Sequence, residues 1–218
     1  MEKHDNLLFE ASSVDVEEIV DDSKKYCYKR EPYYEYAVNF WSELNYAFGT
    51  TKPWPDYVPI VFADPSKDKR SVKSHGFTQT HINERTKKAS IFPVVFLDKN
   101  RADSEIQQTI RHELIHYYLG LNYINHHDNS ALFWLVCDLF DAEAYEQMNK
   151  EKQSLYDAAK QYLLQAYNLL KSEHKKNAPI TLSLMLSNID SAENEDAPNI
   201  GQLESTLRLL LKMIQLTK

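Results

Sequence analysis

The chain has 218 residues, 43% hydrophobic and 26% charged: enough apolar material for one ordinary domain with an appendage, and too much for wholesale disorder. Four Gly and eight Pro exclude collagen-like and glycine-loop-rich architectures, and no apolar run approaches the roughly 20 residues that a membrane-spanning helix needs. A formal charge of −7 argues against a dedicated nucleic-acid binder, while two cysteines, Cys27 and Cys137, are too few for a zinc ribbon or a disulfide framework. The opening MEKHDNLLFEASS is acidic and lacks a long apolar stretch, so a cytoplasmic protein without a secretory signal is expected.

Taken in chain order, Val14 to about Tyr26 reads as an acidic amphipathic helix, and Glu31-Pro32 opens a second one, with proline in its first turn. Tyr33, Tyr36, Ala37, Phe40, Trp41, Leu44 and Phe48 recur at helical spacing and predict one aromatic stripe facing a core. The period then changes. Val58–Phe62, Gly76–Ile82 and Ser90–Leu97 are short β-branched and aromatic runs divided by polar turns, which predicts a small, mostly antiparallel sheet. Pro93 within the third run suggests an edge position or a bulge.

Asp103 or Ser104 offers an N-cap for a helix running to about Leu119, with Glu105 in its first turn. A further helix is expected from Ser130, with helical pattern to about residue 176 broken once near Asn149. An acidic loop at 190–198 and an amphipathic helix over Gly201–Leu216 complete the chain. The fold class expected is α+β: N-terminal helices, a small sheet, one helix packed on it, and a helical C-terminal half.

The chemistry is concentrated in Arg111-His112-Glu113-Leu114-Ile115-His116, which contains His-Glu-x-x-His. Residues i and i+4 share a helix face, so both imidazoles reach one metal ion at about 2.0–2.1 Å. Glu113, about 100° round the helix, is placed to take a proton from a water at the open coordination position. A catalytic zinc needs a third protein ligand. The loop Asn125-His126-His127-Asp128-Asn129 follows closely enough to fold back, with His127 the first choice and His126 and Asp128 near equals. Glu143, in the segment beyond, is the alternative used by other zinc peptidases.

Other polar and aromatic residues have plainer readings. Tyr117, Tyr118 and Tyr123 fit aromatic packing better than oxyanion binding, Arg111 fits a surface ion pair, and Cys137 fits a buried small hydrophobe. His75 and His81 alternate along a strand without a ligand pattern. Residues 51–111 carry net +4, concentrated at Lys67, Lys69, Arg70, Lys73, Arg85, Lys87 and Lys88. A solvated set of hairpin charges is the first reading of that run, and weak contact with DNA through the 67–88 region is the alternative.

The run His112–Leu119, the His-containing loop after it and Ser130-Ala131-Leu132-Phe133-Trp134 together resemble the SprT-like zinc metalloproteases. Trp41–Gly49 resembles the helix end that opens the SprT-like domain, and the Val58–Phe62 and Lys73–His81 strands follow in the same order, so the resemblance covers roughly residues 30–145. It implies a metal-dependent protease acting on protein substrates, with His112 and His116 as ligands and Glu113 as base; cellular members act on proteins bound or crosslinked to DNA. The family's third histidine stands four or five residues before the aromatic that is here Phe133, where this chain has Asn129 and Asp128, with His127 one step earlier. The family's frequent C-terminal zinc ribbon is absent. The expected organisation is therefore an acidic helical segment at 1–30, a protease domain at 31–148 and a helical extension at 149–218. The rival functions are a regulator-cleaving zinc peptidase using Glu143, and a non-catalytic interaction protein that retains the motif.

Overall fold

The structure is a computed structural model that describes residues 33–49, 60–63, 65–67, 71, 73–82, 89–122, 124–143, 148–173 and 175–216. It is an α+β fold of six described helices and a three-stranded sheet. The expected helix at Val14–Tyr26 and the Glu31-Pro32 helix start lie outside the described residues.

The aromatic stripe of the sequence forms α1, Tyr33–Phe48, whose buried face is Ala37, Phe40, Trp41, Leu44, Ala47 and Phe48. Gly49 ends it with φ +58, a left-handed turn in which a side chain is strained. A Cβ there would also come 2.8 Å from that of Pro179, so the turn lets a distant helix approach closely.

The strands are β1 (Val61–Ala63), β2 (Gly76–Ile82) and β3 (Ala89–Phe96), in the order β1-β3-β2. β2 and β3 pair antiparallel along the longer ladder, as expected, while β1 runs parallel to β3, so the sheet is mixed. The chain passes through β2 before returning as β3, and this supplies the crossover that parallel pairing requires. Pro93 lies in the central strand, not at a sheet edge. The β1 ladder begins only at Val94, so at Pro93 itself the described pairing is with Thr78 of β2 alone.

Helix α2 (Asp103–Leu121) lies across β2 and β3. Its N-cap is Ala102 rather than Asp103 or Ser104: the Glu105 carboxylate turns back to accept the Ala102 N–H at 2.9 Å. Asp103 instead accepts a hydrogen bond from the hydroxyl of Tyr33. Helix α3 (Ala131–Leu139) starts at the expected Ser130, whose hydroxyl accepts the Phe133 N–H. It stops earlier than its apolar pattern implied, because Phe140 leaves the helix and Asp141 takes φ +52. Asn149, the expected break, caps the next helix, its side-chain oxygen accepting the Lys152 N–H at 2.9 Å.

Three helices complete the molecule: α4 (Lys150–Glu173), α5 (Ala178–Glu193) and α6 (Ile200–Leu216). The sequence pattern predicts no separate helix at α5 and an acidic loop from residue 190. The helix runs to Glu193, because Asp190 and Glu193 are turned inward onto backbone donors. No helix among the described residues is long and apolar enough to cross a membrane.

One apolar core runs through all of this, from Phe40 and Phe62 through Ile110 and Leu132 to Leu163, Leu186 and Leu207. Helix α4 packs against α3, α5 and α6, and α5 packs against α1. A hydrogen bond from the Tyr167 hydroxyl to Glu43, 2.9 Å, adds a polar tie between α4 and α1. Shared packing predicts shared unfolding. Leu163→Ala, in α4, removes a fully buried side chain and should cost about 2–5 kcal/mol. In chemical denaturation, tryptophan fluorescence and helical circular dichroism should report one coincident transition in wild type and variant alike. Two separated transitions would show that residues 149–218 fold as an independent unit.

Candidate metal centre

His112 and His116 stand one turn apart on the buried face of α2, their rings edge to face with centroids 4.6 Å apart. Phe133 of α3 forms the floor. Its ring stacks on His116 at 4.0 Å and meets His112 edge-on at 5.0 Å, which leaves the imidazoles little rotational freedom.

Each ring is also oriented through its outer nitrogen. Nδ1 of His112 donates to the Glu143 carbonyl at 2.6 Å, and Nδ1 of His116 donates to the His126 carbonyl at 2.5 Å. A carbonyl only accepts, so both rings carry their proton on Nδ1, and a neutral ring then presents a lone pair at Nε2. The two Nε2 atoms are 3.1 Å apart, and Oδ1 of Asp128 lies 3.1 Å from one and 3.2 Å from the other.

Three electron-pair donors thus converge, an arrangement that calls for a proton or a metal cation at its centre. Ligands about 2.0–2.1 Å from one tetrahedral ion stand about 3.3–3.4 Å apart, so the observed triangle needs only a slight expansion to take zinc. His112, His116 and Asp128 are the group of described residues disposed to hold a metal ion.

The electrostatics follow from this geometry. Pairing with His112 and His116, which donate to it from Nε2 when protonated, holds the Asp128 carboxyl far below the usual carboxylate range, against the opposing effect of burial. Burial lowers His116, and a charged His112 beside it lowers it further. Burial also works to lower His112, but the Asp128 hydrogen bond and the charge of Glu113 outweigh it and raise this residue overall.

Glu113 is buried at 3% exposure, on the side of α2 that meets the sheet. Its Oε2 accepts a hydrogen bond from the Thr78 hydroxyl of β2 at 2.9 Å. Gly76 of β2 makes room for it: a Cβ there would fall 2.8 Å from Oε1 of Glu113 and 2.9 Å from the Val94 carbonyl. Burial pushes the Glu113 carboxyl up to about 7, opposed by nearby His112 and by the Thr78 hydrogen bond.

The remaining candidates fall outside the triangle. His127, the first choice for third ligand, is exposed and its ring stacks on that of His126 at 5.4 Å; the loop directs Asp128 to the imidazoles instead. His126 contributes its carbonyl, while its ring lies over Gly120. Glu143 likewise contributes its backbone oxygen, and its carboxylate is not among the grouped ligand atoms. Tyr117 stacks on Trp41 at 5.2 Å and Tyr118 packs against Phe48, both in the core. Arg111 pairs with Asp141 at 3.2 Å, and Cys137 is fully buried. Lys69, Arg70, Arg85, Lys87 and Lys88 lie outside the described residues, as does Tyr123; Lys73 is exposed.

Thr78, Gly76 and Phe133 were not singled out as site residues by sequence reasoning. A threonine and a glycine in a short strand carry no signal of their own, whereas Phe133 had one in its spacing from the loop. No family model, curated protein or solved structure matches the chain.

The raised Glu113 carboxyl carries a stability consequence for the metal-free protein. A carboxyl that is easier to protonate when folded favours the fold below its ordinary value of 4.5, and that advantage is lost as pH rises through about 7. The shift corresponds to about 3 kcal/mol at pH 8. Metal-free Glu113→Gln should therefore be more stable than wild type at pH 8, by up to about that amount, with the difference vanishing near pH 4. Denaturant titrations in chelator at the two pH values check this, and a wild type more stable than the variant at pH 8 contradicts it.

Proposed function

We propose that the protein is a zinc-dependent metallopeptidase, with His112, His116 and Asp128 as ligands and Glu113 as general base. One observation carries the reading. Two imidazoles with Nδ1 tied to carbonyls and a carboxylate between their Nε2 atoms form a donor set with one position left open for a water or a substrate oxygen. The resemblance to the SprT-like metalloproteases points the same way, and Asp128 stands five residues before Phe133, at the place of that family's third histidine.

The bound ion would polarise the scissile carbonyl and make a water more acidic. Glu113 takes the water's proton at its carboxylate and delivers it to the leaving amine. Burial raises the Glu113 carboxyl in the metal-free protein, and a bound cation nearby would lower it again and favour the proton-accepting carboxylate. The Thr78 hydrogen bond fixes one oxygen of Glu113, so its proton-accepting geometry is set before substrate arrives. Phe133 and the buried face of α2 keep the imidazoles from bulk water.

A peptide substrate is favoured by the sheet. Among the described strands β2 is at an edge, and Gly76 and Thr78 of this same strand touch Glu113. An extended peptide pairing along that edge would run past the general base.

Purified protein should hold about one zinc per chain by elemental analysis. His112→Ala should lose it, and Asp128→Ala should hold it more weakly, at reduced occupancy. Glu113→Gln should keep the zinc while cleavage of an unfolded protein substrate falls by about 10²–10⁴. Full proteolysis by Glu113→Gln would remove Glu113 from the mechanism, and zinc retained in full by Asp128→Ala would remove Asp128 from the ligand set.

A further inference from the structure

The loop that carries Asp128 is gripped at both ends by one helix far away in sequence. At its start, the Asn125 N–H donates to Oδ1 of Asp190 at 2.8 Å. At its end, Glu193 takes the Ser130 hydroxyl at 2.7 Å, the Ala131 N–H at 2.8 Å and the Leu132 N–H at 3.3 Å. Asp190 and Glu193 are three residues apart on α5 and so share a face. The Glu193 side chain is only 2% exposed, and Lys152 of α4 lies 3.7 Å from it while donating to the Asn129 side chain at 3.1 Å.

Between these grips lie the two groups that the metal centre needs from the loop: the His126 carbonyl that orients His116, and the Asp128 carboxylate. The Asp128 backbone is held further by the indole N–H of Trp134, which donates to its carbonyl at 2.7 Å. The loop has few other internal ties, chiefly the Ser130 N–H to the His127 carbonyl at 2.8 Å.

We infer that Asp190 and Glu193 are positioning residues for the metal centre: α5 clamps the 125–132 loop so that Asp128 meets the two imidazoles. The zinc side of this inference rests on the metal-binding reading above. Without the clamp, the loop must be ordered at the moment of metal binding, and that cost appears as weaker affinity. The C-terminal helices thereby act on the centre without touching a ligand.

Two readouts on the full-length chain test this. In the metal-free protein, Asp190→Ala should speed hydrogen exchange at the Asn125 amide, while the amide of Leu119 in α2 keeps its protection and shows the fold intact. In chelator competition, Asp190→Ala and Glu193→Gln should each weaken zinc binding by about 10–100-fold. Asp190→Asn retains an oxygen acceptor for Asn125 and should restore the affinity. Placed in an Asp128→Ala background, Asp190→Ala should cost less affinity than it does in the wild type, because the part of its effect that passes through Asp128 is already gone.

The same penalty with and without Asp128 would overturn the inference, as would an unchanged Asn125 amide or unchanged zinc affinity in Asp190→Ala. A wild type that binds no zinc, with the Asn125 amide still released by Asp190→Ala, would sink the metal reading and leave the clamp standing.

Discussion

Lone pairs on two imidazoles and a carboxylate, held 3.1–3.2 Å apart, repel one another unless positive charge lies between them. Keeping them together in a folded chain requires outside force, and much of the molecule serves to supply it. The Nδ1 atoms are fixed by carbonyls from two different loops, the rings are wedged by Phe133, and the carboxylate is carried on a segment fastened at each end. A proton on His112 can relieve the crowding in the metal-free chain: Asp128 and Glu113 raise this residue against burial, while burial and the charge of His112 lower His116. A divalent cation relieves it more completely, since it satisfies all three donors at once.

The helix that carries the motif is caught between two layers, and each side does a different task. Its sheet side places Glu113 against Gly76 and Thr78, where burial raises the carboxyl. Its helical side carries the imidazoles toward α3 and the loop. The buried Glu113 carboxyl and the paired imidazoles are thus set on different sides of a single helix, about 100° apart per residue.

Much of this was legible in the residues. His-Glu-x-x-His fixed the face of α2, Ser130 marked the start of α3, and the β-branched runs located β2 and β3 to within a residue. Asp128 could be narrowed to a loop but not chosen within it, because His126, His127 and Asp128 are all competent ligand types and local sequence does not set which side chain turns inward. That choice is made by Trp134, Asp190 and Glu193, contacts 6 to 65 residues away. Helix α5 was harder to see, since Asp190 and Glu193 read as solvated acids until their backbone partners are in place. The parallel pairing of β1 is equally non-local: nothing in Val61–Ala63 states which edge of β3 it will join.

Phe140, just past the end of α3, has its ring against Phe40 and Phe48 of α1 on one side and Tyr167 of α4 on the other. That aromatic cluster is the seam between the half bearing the motif and the helical half. A polypeptide cut at residue 148 would leave those ring edges facing water and remove the carboxylates that secure the ligand loop. Such a fragment would carry His112, Glu113, His116 and Asp128, yet would lack the contacts from Asp190 and Glu193 that hold the Asp128 loop in place. The residues that secure the Asp128 loop, Asp190 and Glu193, lie well beyond the segment that carries the motif.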